Sequence, residues 1–151
     1  MEDNGRMSDP HILGPGLLPT PFTAAEIREA TGAGKTISIR IELPDGTTTS
    51  RVNRFSETDA DGATLERWSL DDRSDLSTNR VTWLELQQHA AFDAETTSVS
   101  TETLSIPLGE VECLRYDTED GTFWFSIAHP GMPVQYESTG VRTTVVGVEY
   151  D

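Results

Sequence analysis

The stretch Ile37-Ser38-Ile39-Arg40-Ile41-Glu42-Leu43, closed by Pro44-Asp45-Gly46, decides the fold class. Apolar and polar residues alternate with period two, which places Ile37, Ile39, Ile41 and Leu43 on one face of a half-buried strand. Pro44-Asp45-Gly46 has tight-turn chemistry, so the chain reverses immediately. A second strand follows from about Thr47 to Glu57, where Phe55 breaks the alternation and signals a bulge. Asp61-Gly62 turns the chain into a third strand, Ala63 to Leu70, carrying Leu65, Trp68 and Leu70. Asp71 to Asn79 is polar without period and reads as a loop.

Upstream of this block, Thr23 and Glu26 have the spacing of a capping box, and Phe22 and Ile27 that of a hydrophobic staple. They predict a short helix that ends before Gly32 and Gly34. The same signature recurs at Thr82 and Glu85, with Val81 and Leu86 as the staple, and predicts a second short helix over Trp83 to Ala91, with a strand as the alternative. From Thr96 the period returns to two. Strands are expected near 96–106, 110–117, 122–128, 133–138 and 142–149, punctuated by Leu108-Gly109, Asp120-Gly121, Pro130-Gly131 and Thr139-Gly140. The sum is a mainly β (α+β) domain: a curved antiparallel sheet or half-barrel of about eight strands in a meander, with two short helices on one face or at one end. Residues 1–20, rich in Gly and Pro and without period, read as a flexible or loosely docked arm that Ile12, Leu13, Leu17 and Leu18 can pin; residues 21–151 form a single β-rich domain.

The 151 residues carry 26 Asp and Glu against 11 Lys and Arg, a formal charge of −15. Such a surface repels phosphate backbones and anionic bilayers, so nucleic acid and membrane are not expected partners. Lys35 is the single lysine. No basic-then-apolar leader precedes residue 17 and Cys113 stands alone, which together point to the cytoplasm and exclude an internal disulfide.

Catalytic and cofactor motifs fail on their chemistry. Gly32-Ala33-Gly34-Lys35-Thr36 ends like a P-loop, but Glu29 occupies the position of its first glycine. It also leads from a helix into a strand, the reverse of the order that presents amides to phosphate. His11, His89 and His129 lack the spacing of a metal site. The clusters Asp59/Asp61, Asp71/Asp72/Asp75 and Asp117/Glu119/Asp120 fall at turns, where Asp is favoured for local hydrogen bonds. No catalytic, cofactor-binding or metal-binding residue is therefore assigned, and the reading leans away from an enzyme. The aromatic residues Trp68, Trp83, Phe123, Trp124, Phe125 and Tyr136 are candidate ligand-binding residues. A curved sheet lined by them leaves an apolar cleft beneath the helices for a small or lipid-like ligand. Two alternatives stand beside this one: a structural or self-associating protein, such as a homodimer built on a sheet edge or aromatic patch, and a hydrolase whose carboxylate pair meets only in three dimensions.

The segments Glu102–Gly109, Cys113–Tyr116, Phe123–Ser126 and Pro130–Val134 resemble a class of uncharacterised bacterial β-meander proteins. That class is distantly similar to the lipoprotein-carrier half-barrels, where a curved sheet holds acyl chains beneath helices. The resemblance implies a half-barrel and an apolar ligand, and transfers no functional residue.

Overall fold

The computed structural model describes residues 9–150 (for Arg73 the backbone alone). Nine antiparallel strands form one sheet: β1 (Lys35–Glu42), β2 (Thr48–Thr58), β3 (Gly62–Ser69), β4 (Asp72–Thr82), β5 (Ser98–Ile106), β6 (Gly109–Thr118), β7 (Gly121–Ser126), β8 (Gln135–Ser138) and β9 (Val141–Glu149). Helix α1 (Ala24–Ala30) precedes β1, and α2 (Trp83–Gln88) separates β4 from β5. Both capping boxes form: the Thr23 and Thr82 hydroxyls accept from the amides of Glu26 and Glu85, whose carboxylates accept from the cap amides in return.

Two expectations are corrected. The strand count is nine, because Asp72–Thr82 is a strand and not a loop. It is an edge strand with polar residues on both faces, so it lacks the apolar alternation that betrays a half-buried strand; Leu76 itself is exposed. Nor is the sheet one continuous meander. Its order is β4-β3-β2-β1-β9-β8-β7-β6-β5: two meanders, each made of sequence neighbours, joined where β1 pairs with β9. Consecutive strands β4 and β5 therefore lie at opposite edges, bridged by α2 and the following loop.

The sheet is bent by irregularities in its register. The expected bulge at Phe55 is present, with the pairing shifting between Phe55 and Glu57. A second shift lies in the β1–β9 seam, where Ser38 pairs with Gly147 and Ile39 with Val145, leaving Val146 as the extra residue. Strands β9 and β5 are four spacings apart, about 19 Å in a flat sheet. Their Cα atoms nevertheless approach within 8 Å, so this end of the sheet rolls up.

Both helices pack on the concave face. Trp83 is buried at the start of α2, and its indole N–H donates to the Asp59 carbonyl (2.9 Å), fixing the helix to the β2–β3 turn. Residues 9–20 dock on the same side. The Gln87 carboxamide donates to the Pro10 carbonyl (2.8 Å) and to Thr20 (3.0 Å), while the Leu18 amide donates to the Phe92 carbonyl (2.8 Å). Leu18 packs on the core as expected, whereas Ile12 is exposed. Beneath this arm, the Phe92 ring lies 5.0 Å from Tyr116 and 5.2 Å from Phe123, and Tyr116 meets Phe125 edge-on at 5.6 Å.

Two predictions follow from this packing. A Cβ on Gly62 would lie 2.0 Å from the Val81 carbonyl oxygen, a backbone atom that cannot move without opening the β3–β4 ladder. Gly62→Ala is therefore expected to cost more than about 2 kcal/mol, read as a lowered urea midpoint. Tyr116 is buried, and desolvation pushes its phenol from 10.0 up to about 12. The folded state thus holds the proton more tightly than the unfolded chain. Its contribution is complete below pH 10 and is lost as pH rises from 10 to 12. Tyr116→Phe should lose on the order of 2 kcal/mol less than the parent across that window, measured by urea unfolding at successive pH values. Equal losses in the two proteins would refute the assignment.

Candidate functional site: a cleft on the concave face

Alternation along the strands decides which side chains reach the concave face. Asn53 and Phe55 of β2, Leu65 and Arg67 of β3, and Asn79 and Val81 of β4 point to the same side and form a floor. Phe123 and Phe125 of β7 and Tyr136 of β8 form the opposite wall, with the Phe123 and Tyr136 rings stacked at 5.8 Å. Leu86 and His89 at the end of α2, together with the loop residues Gly131, Met132 and Pro133, close the remaining sides. The enclosed cleft measures about 400 Å³. Strands β3 and β7 are five spacings apart, about 24 Å if flat, so only a strongly bent sheet lets both line one cleft.

Polarity is unevenly distributed along the floor. Asn53 and Arg67 pair across the β2–β3 ladder, with Asn79 beside Leu65 on the next rung but one. Phe55 shares that rung with Leu65 and Asn79, and Ala63 and Val81 follow on the next rung but one, beneath α2. The Asn53 carboxamide makes only a long contact with the Met132 sulfur, at 4.0 Å. No Asp or Glu is among the described residues that line the cleft.

The six aromatic candidates divide evenly. Phe123, Phe125 and Tyr136 line the cleft. Trp68 pairs with Val52, the neighbour of Asn53, and so occupies the other face of the sheet. Trp124 also points to that other face, its indole N–H donating to Glu102 (2.9 Å) and its ring 5.3 Å from the Arg115 guanidinium. Trp83 anchors α2 and borders a separate outer crevice with Ala24, Arg28 and Leu84. The floor residues Asn53, Arg67 and Asn79 were not singled out. Arg67 carried a usable signal, since period two from Leu65 places it on the inner face. Asn79 did not, because it lies in the strand read as a loop.

The remaining titratable groups take up structural roles. Asp59 accepts from the amides of Asp61 and Gly62 and pairs with Arg80, which holds its carboxyl below the usual range. Asp45, Asp72 and Asp75 are likewise shifted down, chiefly by hydrogen bonds from Thr47, Ser74 and Ser69. Glu102 is shifted down by Trp124 and then Arg115. These carboxylates are turn and ladder fasteners, and none is held protonated as a general acid would be. Cys113 is buried on the face of Trp124, and desolvation pushes its thiol up to about 11, the opposite of a nucleophile. His11 sits between Asp9 and Glu26 at the surface. Lys35 is buried beside His129 and Pro130, its Nζ 5.8 Å from the Tyr150 ring centroid, and burial lowers its pKa.

Among the described residues no cluster of three metal-ligating side chains occurs, and no helix is long and apolar enough to cross a bilayer. No family model matches the chain, and no curated protein does. Among solved structures, MucB is similar with a TM-score of 0.56 at 10% identity, over 82% of this chain and 55% of MucB. The chain thus spans about half of MucB's length. A putative exported protein with a YmcC-like fold from Bacteroides fragilis NCTC 9343 aligns with a TM-score of 0.42 at 9% identity, over 80% of this chain and 97% of that one. The MucB likeness is one of fold alone.

Proposed function

We propose that this protein is a binding module that holds a small apolar or lipid-like ligand in the cleft between β2–β4 and β7–β8. The supporting observation is the cleft itself. Its volume of about 400 Å³ falls in the range of small-molecule sites, and it combines a largely apolar lining with a few polar groups, Asn53, Arg67, Asn79 and His89. A hydrolase would need carboxylates converging on this cleft, and none is among its described lining residues. The fold likeness to MucB is compatible with a binding role and assigns no ligand.

The test uses straight-chain alcohols of increasing length, titrated by calorimetry. Each methylene buried is worth about 0.8 kcal/mol, close to fourfold in affinity at 25 °C, until the cleft is full. Affinity should therefore climb by about that factor per carbon and then level off. Leu86→Trp, which places an indole from α2 over the cleft, should weaken binding of the longer alcohols by about tenfold or more while leaving the melting temperature within a few degrees. Absence of binding at every length, or unchanged affinity in a folded Leu86→Trp protein, would overturn the proposal.

A further inference from the structure

In a chain of charge −15, cations readily find carboxylates, and six of the eight arginines whose side chains are described do so. Arg40 pairs with Glu42, Arg51 with Asp75, Arg54 with Glu66, Arg80 with Asp59, Arg115 with Glu102 and Asp117, and Arg142 with Glu137. Arg28 has no carboxylate among the described residues but sits in the last turn of α1, where the helix dipole favours a cation. Arg67 has neither. Among the described residues it makes no ion pair or hydrogen bond with its side chain, and it reaches the rim of the cleft.

The surroundings of Arg67 sharpen the point. About one residue in six of the chain is acidic (26 of 151), so fourteen lining positions would hold about two if the cleft followed the chain average. Among the described residues it holds none, and their only charged or titratable side chains at the cleft other than the Tyr136 phenol are Arg67 and His89. An apolar cleft excludes both signs of charge alike, and this one excludes only the negative sign. The Asn53 and Asn79 carboxamides add donors near the guanidinium. From the rung of Arg67 to that of Val81 is four residues along β3, about 13 Å at the rise of a strand.

Resting on the binding role proposed above, we infer that the ligand is an amphiphile with an oxyanion head, a carboxylate or a phosphate monoester. The head is gripped by the Arg67 fork at the mouth, and the alkyl tail runs over Phe55 and Leu65 toward Val81 beneath α2. The guanidinium's planar array of donors matches two oxygens of either head group. The rest of the acidic surface repels an anion, so a cation at the cleft that is free of competing carboxylates among the described residues is where such a head can settle, and the attraction outlasts screening at contact distance.

The experiment titrates decanoate, decyl phosphate, decanol and decylamine into the full chain by calorimetry, each below its micelle threshold. At least one anion should bind about tenfold or more tightly than decanol, and decylamine most weakly. The tighter of the two anions identifies the head group. Arg67→Gln should bring the anions down to the affinity of decanol, and Arg67→Lys should restore part of the difference, with melting temperatures close to the parent's. If the anions and decanol bind equally, if decylamine binds best, or if Arg67→Gln weakens all four alike, the oxyanion head is wrong while the cleft stands as a binding site. If none of the four binds, the cleft proposal falls with it.

Discussion

The structure depends on the seam between β1 and β9. Thr36–Glu42 pairs with Arg142–Glu149, joining a strand near the start of the domain to one at its end. Each meander alone is a set of hairpins with exposed apolar faces, and small isolated hairpins are marginal in water. The seam merges them into one sheet whose inner face carries Ile37, Ile39 and Val145 at its centre, all buried. It is also where Val146 interrupts the register. A bulge increases twist and bends a strand. Placed mid-sheet, it swings the two wings toward each other, which is what brings β3 and β7 to opposite sides of a single cleft.

Concavity requires a filling, and the chain supplies most of it from segments outside the sheet. The two helices are six and seven residues long, too short to be stable alone. They persist through capping boxes and tertiary fasteners: the Trp83 indole on the Asp59 carbonyl, and the Gln87 side chain accepting from the Ala24 amide while donating to Pro10 and Thr20. The cleft is the part of the concavity that α1, α2 and residues 9–20 leave uncovered. Leu86 and His89, at the end of α2, form part of its border.

The charge distribution divides along the same line. Carboxylates occupy the turns and the rungs of ladders, accepting from nearby amides or pairing with arginines, while the inner face between the wings is free of them among the described residues. Acidity thus marks the outside of the molecule and leaves the concavity distinct in sign. That contrast gives an otherwise plain apolar cleft a chemical direction.

Strand identity, both helix caps and the Phe55 bulge were legible in the sequence because each is a local signal: alternation, a four-residue spacing, a break in period. Mainly β architecture follows from those signals alone. What they could not carry was pairing beyond the hairpin. The β1–β9 seam joins residues a hundred or more positions apart, and nothing in either strand's composition names its partner. The edge strand β4 was invisible because a strand with one neighbour and polar faces has no apolar pattern to display. For the candidate site, the aromatics of β7 and β8 could be chosen by type, but whether Trp68, Trp83 or Trp124 faces inward depends on register and twist. The sequence by itself determined which residues become strands, turns and caps, since those choices are made within a few residues of backbone. Only the tertiary structure decided where the concavity opens and that Arg67 stands at its mouth, since both depend on how far the seam bends the sheet.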